Sequence, residues 1–273
     1  MELLTSPQNP RVKHWAALKE RKRREETGLY AAEGLLLVRE YLDAGAPIET
    51  LLLDTLGAKG EAALELAERA QTRGIAVVEL TSAVFARVAD TDHPQGALAI
   101  VRMPEMNLED ELNAAATQGG NDCANVVLVA DGVRDPGNLG TMLRTAQAVG
   151  CRVAIVTEGS VDPFHPKVVR ASMGALARLA VARLSAQTTV RRLEAAGFAL
   201  FGADARAPRT LFQTELRSNI ALAVGAEVDG LSSEMRAACA QLFSLPMPGG
   251  AESLNAGAAS AAVLYEALRQ RLA

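Results

Sequence analysis

The sequence predicts an α/β protein, and its length and composition support this fold class. At about 150 residues per domain, 273 residues allow one large domain or two modest ones. Hydrophobic residues make up 49% and charged residues 22% of the chain, values that exclude collagens, coiled coils and disordered tails. Aromatic residues make up only 4%, so Ala, Leu and Val must form the core, which favours helices packed closely on a parallel sheet.

Residues 1–103 are predicted to form a small N-terminal α/β domain, because helical and strand patterns alternate along them. We expect helices at 33–42, 61–73 and 83–88, with Gly74 ending the second. We expect strands at 51–53, 75–80 and 97–103. Residues 104–123 lose the apolar periodicity and end in Gly-Gly-Asn-Asp, so we interpret them as a linker with room for a short helix.

Residues 124–273 are predicted to form a second domain with strands at 126–130, 153–157, 199–203, 220–224 and 242–245. Residues 126–130 form a continuous apolar run, typical of a strand buried on both faces. Asp135 is expected to cap the next helix, with Pro136 at its first position. Alternating strands and helices imply a mostly parallel sheet with helices on both faces, whose ligands bind beyond the carboxyl ends of the strands. The last helix, at about 253–272, is expected to bury Leu254, Ala258, Ala261, Leu264, Leu268 and Leu272.

The charge of the chain is uneven. The net charge is −4, yet seven basic residues against one acid give residues 11–24 a net charge of +6. Such a patch on an acidic body indicates either a binding surface for a polyanion such as RNA or a solvated helix face. Trp15, within this segment, is expected to anchor the core, with stacking on an RNA base as the alternative. The candidate RNA-binding residues are Arg11, Lys13, Lys19, Arg21, Lys22, Arg23 and Arg24.

Several classes of protein are disfavoured. The three cysteines lie far apart without a CxxC pair, so neither a disulfide framework nor a metal site is expected. No apolar run approaches the ~18 residues of a membrane span, and the opening MELLTSPQNPRVKHW has no apolar segment followed by a small-residue cleavage site, so no signal peptide is expected. We therefore expect a cytoplasmic protein with no membrane partner. No GxGxxG follows a strand, which disfavours an NAD-dependent dehydrogenase.

Three glycine-rich turns follow predicted strands, and each holds groups that can hydrogen-bond or bear charge. They read DGVRDPGNLG at 131–140, followed by Arg144, then VGAEVDG at 224–230 and LPMPGGAESLN at 245–255. Glycine lets a backbone approach a ligand closely. Each turn alone could be an ordinary strand-to-helix connection in which Gly and Asn serve only to form the turn. Three together, each after a buried strand, favour a ligand site.

These turns resemble, in order and spacing, three motifs of the SpoU/TrmH RNA ribose 2′-O-methyltransferases. The likeness includes DPGNLGTMLRTA, RASMGA at 170–175 and LPM-x-G-x-x-x-SLN. The opening SPQNPRVK…EETGLYAAEG resembles the substrate-binding N-terminal domain of that family, so the likeness covers nearly the whole chain. It implies a deep trefoil knot near the C-terminus and S-adenosyl-L-methionine as cofactor. It also implies a homodimer in which the partner contributes part of each site.

By motif position, the resemblance also implies the site residues. Because a guanidinium almost never loses its proton, we expect Arg144 to hold a neighbouring phosphate and stabilise the forming alkoxide. Ser253 and Asn255 are expected to orient the nucleophile and Glu227 to position Arg144 or a loop; alternatively, Ser253 is the N-cap of the last helix. The implied catalytic residues are Asn138, Arg144, Glu227, Ser253 and Asn255, and the implied cofactor-binding residues are Gly225, Leu245, Met247, Gly249 and Leu254.

Two departures from the family pattern concern these loops. The second motif usually reads Gly-Asn-Glu-Gly, whereas residues 225–228 here read Gly-Ala-Glu-Val. Val228 replaces a residue that can take a positive φ, so we expect the loop to bend at Gly230 instead. After Asn255 the family favours Val-Ser-Val, and residues 256–258 here read Ala-Gly-Ala.

The function implied is S-adenosyl-L-methionine-dependent methyl transfer to a ribose 2′-hydroxyl in structured RNA. Ribosomal RNA is favoured over transfer RNA, because a separate N-terminal domain suits a large structured substrate. A tRNA 2′-O-methyltransferase is one alternative. Another is a non-catalytic RNA-binding or ribosome-assembly protein on the same scaffold, which the altered second motif would suit.

Overall fold

The structure of the protein, a computed structural model, describes residues 1–57, 60–118 and 122–273. The chain divides into two compact units. The first contains Met1–Glu105 and Phe164–Ala177, and the second contains Met106–Pro163 and Arg178–Ala273. The sequence places 164–177 in the second domain, but in the structure this segment packs with the first unit. The Phe164 ring lies 4.9 Å from that of Tyr30, and Arg170 pairs with Asp90 at 2.8 Å.

The first unit is a five-stranded sheet flanked by helices, with strand order β1-β4-β3-β5-β2. β2 and β5 pair antiparallel, as do β3 and β5, whereas β1, β4 and β3 are parallel. The strands are β1 (Glu2–Leu4), β2 (Leu29–Glu33), β3 (Ile48–Asp54), β4 (Ala76–Leu80) and β5 (Ala97–Arg102). The helices are α1 (Pro10–Ala17), α2 (Arg21–Thr27), α3 (Leu35–Asp43), α4 (Glu61–Thr72) and α5 (Ser82–Val88).

Two strands of this sheet are absent from the sequence prediction. β1 has only three residues, and β2 reads Leu-Tyr-Ala-Ala-Glu, without an alternating pattern. Both strands exist because they pair along most of their length with β4 and β5, contacts that no local pattern encodes. The core of this unit includes Trp15, of which 4% is exposed, together with Phe85 of α5. The expectation that Trp15 anchors the core is confirmed.

The second unit is a six-stranded sheet flanked by helices, with strand order β11-β9-β10-β6-β7-β8. Every pairing in it is parallel, which confirms the predicted α/β class. The trefoil knot stays a prediction. The strands are β6 (Val126–Asp131), β7 (Val153–Thr157), β8 (Ala180–Leu184), β9 (Ala199–Ala203), β10 (Ile220–Gly225) and β11 (Gln241–Phe243). The helices are α6 (Leu108–Thr117), α7 (Pro136–Ala148), α9 (Ala186–Ala195), α10 (Ser233–Ala238) and α11 (Ala256–Leu272), while α8 (Pro166–Ala171) belongs to the first unit.

The predicted linker 104–123 is largely part of the second unit. α6 lies within it and buries Leu112 and Ala115 in the core beside Val153 and Ile155 of β7. Asn107 caps this helix by accepting a hydrogen bond from the Glu109 amide at 3.1 Å. Residues 119–121 of the predicted linker lie outside the described residues.

α11 begins at Ala256 rather than 253, and it buries a different face from the predicted one. Its buried residues include Glu266 and Gln270, which are fully hydrogen-bonded: Arg269 donates twice to Glu266 at 2.8 Å, and Gln270 accepts from the Leu216 amide at 2.8 Å. Leu264 is buried as predicted. The α11 apolar face, which is exposed or half-buried in the chain, consists of Ala258, Ala261, Ala262, Tyr265 and Leu268. Within the part of the chain that the structure describes, no helix combines the length and the apolar character of a membrane span.

Candidate active site

The candidate site lies where the two central strands of the second unit end. β6 and β10 are buried along their whole length, and Gly225 of β10 pairs in register with Asp131 of β6. β6 and β10 are neighbours in the sheet; the other neighbour of β6 is β7, and the other neighbour of β10 is β9. This is the edge at which parallel sheets bind ligands. The glycine-rich turn at 131–140 follows β6, and the one at 224–230 follows β10. Because the two strands are parallel neighbours, the two turns begin next to each other.

Hydrogen bonds between side chains bring all three turns together. The Asn255 amide donates to Asn138 Oδ1 at 2.7 Å, and the Asn138 amide donates to Glu227 Oε1. Asn138 is held in turn by α7, whose N-cap Asp135 accepts from the Asn138 backbone amide at 2.8 Å. Glu227 and Asn255, which lie 89 and 117 positions after Asn138 in the sequence, therefore both contact Asn138 in the structure.

A cleft of about 710 Å³ opens beside this network, within the ~300–1,000 Å³ common for small-molecule sites. The loops after β9, β10 and β11 form its walls together with the start of α11. Of the predicted residues, those that line it are Gly225, Glu227, Leu245, Met247, Ser253 and Leu254. Gly249 does not line it. The charged lining residues that sequence reasoning missed are Asp204, Arg206, Asp229, Arg236 and Glu252.

The loop after β10 folds tightly back on itself. The Ala226 amide donates to the Gly230 carbonyl at 3.1 Å, and the Gly230 amide donates to the Ala226 carbonyl at 3.0 Å. A Cβ on Gly225 would fall against the backbone of Gly230, so position 225 requires glycine. Gly230 has a positive φ of +67°. Among the described residues, Met173 is the one non-glycine residue with a positive φ, so the φ of Val228 is not positive. The prediction that the loop bends at Gly230 instead of Val228 is confirmed.

Asp131 is a buried carboxylate that holds this edge of the sheet together. Thr157 at the end of β7 donates its hydroxyl to Asp131 Oδ1 at 2.8 Å, and the Ser232 amide donates to Oδ2 at 2.6 Å. The Gly132 amide in turn donates to the Thr157 hydroxyl at 3.0 Å. Asp131 thus ties β6 and β7 to the loop that walls the cleft. The sequence analysis did not single out Asp131; the signal that could have found it is an acidic residue at the end of a continuous apolar strand.

Arg144, Ser253 and Asn255 differ in how the structure places them. Arg144 is exposed on α7, six residues beyond Asn138 or about 9 Å along the axis, and does not line the cleft. It makes no hydrogen bond or ion pair with any described residue.

Ser253 lines the cleft but does not cap the last helix. Asn255 is the N-cap, since its Oδ1 accepts from the Ala258 amide at 3.2 Å. The alternative of Ser253 as N-cap is therefore wrong.

The next residues of α11 bring it close to α7. A Cβ on Gly257 would lie 3.2 Å from Thr141 Cβ of α7, so the departure at 256–258 supplies a small residue where two helices meet. Because Asn255 and Asn138 stand at the starts of these helices, close packing of α7 on α11 also sets their separation.

The basic segment forms α1 and α2, and one of its residues differs from expectation. Arg24 is buried, and its guanidinium donates to the Leu18 and Lys19 carbonyls at 2.8 Å. Arg24 is therefore a structural residue and not a surface contact for RNA. The others are exposed, although nearby acids neutralise part of their charge. The ion pairs are Arg11–Glu2, Arg21–Glu25, Lys22–Glu26 and Arg23–Glu26.

A parallel sheet with a cleft built from glycine-rich loops at its carboxyl edge defines an α/β protein with a small-molecule site. Residues 125–265 match the model of the SpoU rRNA Methylase family, and residues 9–99 match that of the MRM3-like substrate binding domain. The chain belongs to the SpoU rRNA methylase family. In the part of the chain that the structure describes, no cluster of His, Cys, Asp or Glu could hold a metal ion.

Individual relatives cover most of the chain. It is 35% identical over 220 residues to the 23S rRNA (guanosine-2′-O-)-methyltransferase RlmB of Xylella fastidiosa, covering 79% of this chain and 86% of the relative. It is 31% identical over 265 residues to the 23S rRNA (guanosine(2553)-2′-O)-methyltransferase RlmP of Bacillus subtilis, covering 97% and 98%. The AdoMet-bound rRNA methyltransferase from Sinorhizobium meliloti superposes with a TM-score of 0.84 at 32% identity, covering 98% and 97%.

Proposed function

We propose that this protein transfers a methyl group from S-adenosyl-L-methionine to a ribose 2′-hydroxyl of 23S rRNA. The named relatives are 23S rRNA 2′-O-methyltransferases, and an AdoMet-bound rRNA methyltransferase shares the fold over nearly the whole chain. The single observation that carries the proposal is the hydrogen-bonded meeting of Asn138, Glu227 and Asn255 beside the cleft.

The cleft fits the cofactor in size and chemistry. Leu245, Met247 and Leu254 offer an apolar wall for an adenine ring, and Gly225 and Gly230 line the same cleft without side chains. When bound, S-adenosyl-L-methionine supplies an electrophilic methyl group attached to a sulfonium. The chain has to place the ribose oxygen in line with that methyl group and stabilise the oxygen as its proton leaves.

The side chains beside the cleft suit these two tasks. Ser253 lines the cleft with a hydroxyl that can hydrogen-bond the ribose, and Asn138 holds Glu227 and Asn255 in fixed positions. The guanidinium of Arg144 stabilises a developing alkoxide and a neighbouring phosphate. It is therefore an electrostatic group in this proposal and not a base.

The position of Arg144 supports a homodimer. It is exposed, does not line the cleft of its own chain, and forms no hydrogen bond or ion pair with a described residue. The α11 apolar face lies exposed on a helix packed against α7, and Tyr265 at its centre is 54% exposed. An apolar helix face of this kind suits burial against a second copy. In the dimer, each chain contributes Arg144 to the cleft of its partner.

The first unit binds the RNA in this proposal. The exposed cations Lys13, Lys19 and Lys22 lie on or beside the surface helices α1 and α2, where they can contact phosphates.

The three cysteines are free thiols, as expected in a reducing compartment, which supports the cytoplasm as the location of the enzyme.

Methyl transfer to purified RNA tests the proposal. The protein is incubated with tritiated S-adenosyl-L-methionine and with 23S rRNA, 16S rRNA or tRNA from cells lacking the gene. We expect label in 23S rRNA alone, at one nucleotide whose 3′ linkage resists alkaline cleavage, because a 2′-O-methyl group removes the nucleophile for that cleavage. The same RNA from cells that carry the gene is the control, and it should accept little label.

Each other result contradicts part of the proposal. Label in tRNA alone would make the protein a tRNA methyltransferase. Label at an alkali-sensitive position would place the methyl group on a base. Saturable RNA binding with no label and no heat of S-adenosyl-L-methionine binding would indicate a non-catalytic RNA-binding protein.

A further inference from the structure

An ion pair in the cleft wall lies apart from the residues that the sequence motifs point to. Asp204 follows β9 directly, and Arg236 stands on α10; both line the cleft, and their side chains form a salt bridge. The Asp204 side chain is only 7% exposed, whereas that of Arg236 is 42% exposed. The carboxylate is therefore largely withdrawn from solvent, whereas the guanidinium that pairs with it remains partly exposed at the cleft.

Both partners are held in place by their surroundings. Asp204 Oδ1 accepts from the Arg206 amide at 2.9 Å, while Oδ2 accepts from Arg236. The Asp204 amide donates to the Phe243 carbonyl at 2.9 Å, which fixes it between β9 and β11. α10 is capped by Ser232, whose hydroxyl accepts from the Met235 amide at 3.3 Å. A preorganised pair of opposite charges is thus presented to the cleft.

The other charged groups of the lining are less suited to a fixed contact. Arg206, Glu227, Asp229 and Glu252 are exposed. Glu227 is already bonded to Asn138, and Asp229 lies 3.5 Å from Arg134 in a pair exposed on both sides. Such solvated pairs contribute little to binding. Among the described lining residues, Asp204 is the carboxylate that is withdrawn from water.

We propose that Asp204 and Arg236 bind the amino-acid end of S-adenosyl-L-methionine, with Arg236 on its carboxylate and Asp204 on its ammonium group. The inference rests on the proposed function, which places the cofactor in this cleft. A zwitterion is the natural complement of a fixed ion pair. A guanidinium has five N–H donors, and one suffices for Asp204, so others remain for a second carboxylate. The oxygens of Asp204 likewise keep lone pairs that can accept from an ammonium group.

Two nucleoside thioethers test the inference by calorimetry. S-adenosylhomocysteine carries the amino-acid end, whereas 5′-methylthioadenosine has the same nucleoside and sulfur but no amino acid. We expect Arg236→Gln to weaken S-adenosylhomocysteine binding about tenfold or more, the effect of losing a charged hydrogen bond. Binding of 5′-methylthioadenosine should change by less than about twofold, because that ligand never reaches the pair. Asp204→Asn should act in the same direction.

Arg206→Gln is the matched control, because it removes an exposed cation from the same lining without breaking a described ion pair. It should leave the ratio of the two affinities as in the unaltered protein. The inference is overturned if Arg236→Gln weakens both ligands equally, which would mark a structural role, or weakens neither. It is also overturned if Arg206→Gln, and not Arg236→Gln, changes the ratio. Failure of the unaltered protein to bind either ligand would contradict the proposed function itself, which is a different result.

Discussion

At the scale of single residues, the site depends on side chains that fix one another before any substrate arrives. Asn138 both donates and accepts, so one amide connects Glu227 with Asn255. Asp131 accepts from a hydroxyl and a backbone amide, and so has partners for both of its buried oxygens. Arg144 is the exception, since it makes no such contact with any residue of its own chain that the structure describes. Its role therefore has to be tested separately from the cleft.

Arg144→Ala is expected to lower methyl transfer to RNA by roughly 100-fold or more, because a preorganised cation that stabilises the forming alkoxide is lost. Binding of S-adenosyl-L-methionine, measured by calorimetry, should change little, since Arg144 does not line the cleft. Arg144→Lys should recover part of the rate, because it keeps the charge without the planar fork. Full turnover by Arg144→Ala would refute the assigned role.

At the scale of elements, the loop after β10 and the helix α11 show how local structure serves the site. The loop can close on itself because position 225 lacks a side chain and Gly230 takes a left-handed conformation. α11 can bury Glu266 and Gln270 because neighbouring groups satisfy their hydrogen bonds. A glycine in the loop and hydrogen-bonded polar side chains in α11 thus occupy buried positions that help to shape the site.

Gly225→Ala is expected to weaken S-adenosyl-L-methionine binding and to destabilise the fold by about 1–3 kcal/mol, as overpacking commonly does. The new Cβ would press on the Gly230 backbone, so the loop would have to shift. Gly249→Ala is the matched control: a Cβ there meets nothing within 4 Å, and its φ is not positive. Equal effects of the two substitutions on cofactor affinity and melting temperature would argue against this account of the loop.

Glu266→Gln is expected to destabilise the protein by about 1 kcal/mol at pH 7, through loss of a charged hydrogen bond. The hydrogen bonds from Arg269 hold the pKa of Glu266 below its ordinary value of 4.5. The stabilisation is therefore complete above pH 4.5 and is lost as the pH falls through the lower native pKa. Urea midpoints of both proteins should differ at pH 7 and converge in acid. A difference that persists at low pH would contradict this origin.

At the scale of the whole molecule, the α11 apolar face raises the question of assembly. Tyr265→Arg places a charge in the middle of that face and is expected to convert a dimer into monomers of 28.7 kDa, as measured by light scattering. Methyl transfer should fall with it, because Arg144 then no longer reaches a partner. Leu64→Arg, at a 61% exposed position of α4 in the first unit, is the control and should stay dimeric. An unaltered protein that is monomeric at assay concentrations would overturn the dimer proposal.

Much of the second unit could be predicted from the sequence because its signals are local. The buried strands β6 and β10 are continuous apolar runs, and Asp135 with Pro136 marks the start of α7; the structure confirms both. The family was recognisable because its motifs keep their order and spacing. The segment that contains α6 was interpreted as a linker with room for a short helix, and the predicted buried face of α11 was wrong. The packing of each helix depends on which distant element covers it, and no local pattern encodes that.

By itself, the sequence determined the α/β class, the family, the cofactor and the three turns. Only the tertiary structure decided that Asn138, Glu227 and Asn255 touch, that Arg24 is buried and that segment 164–177 packs with the first unit. The physical reason is one of range: propensity, capping and periodicity act over a few residues. Burial and hydrogen-bond pairing depend instead on groups that the fold brings from tens to more than a hundred positions away.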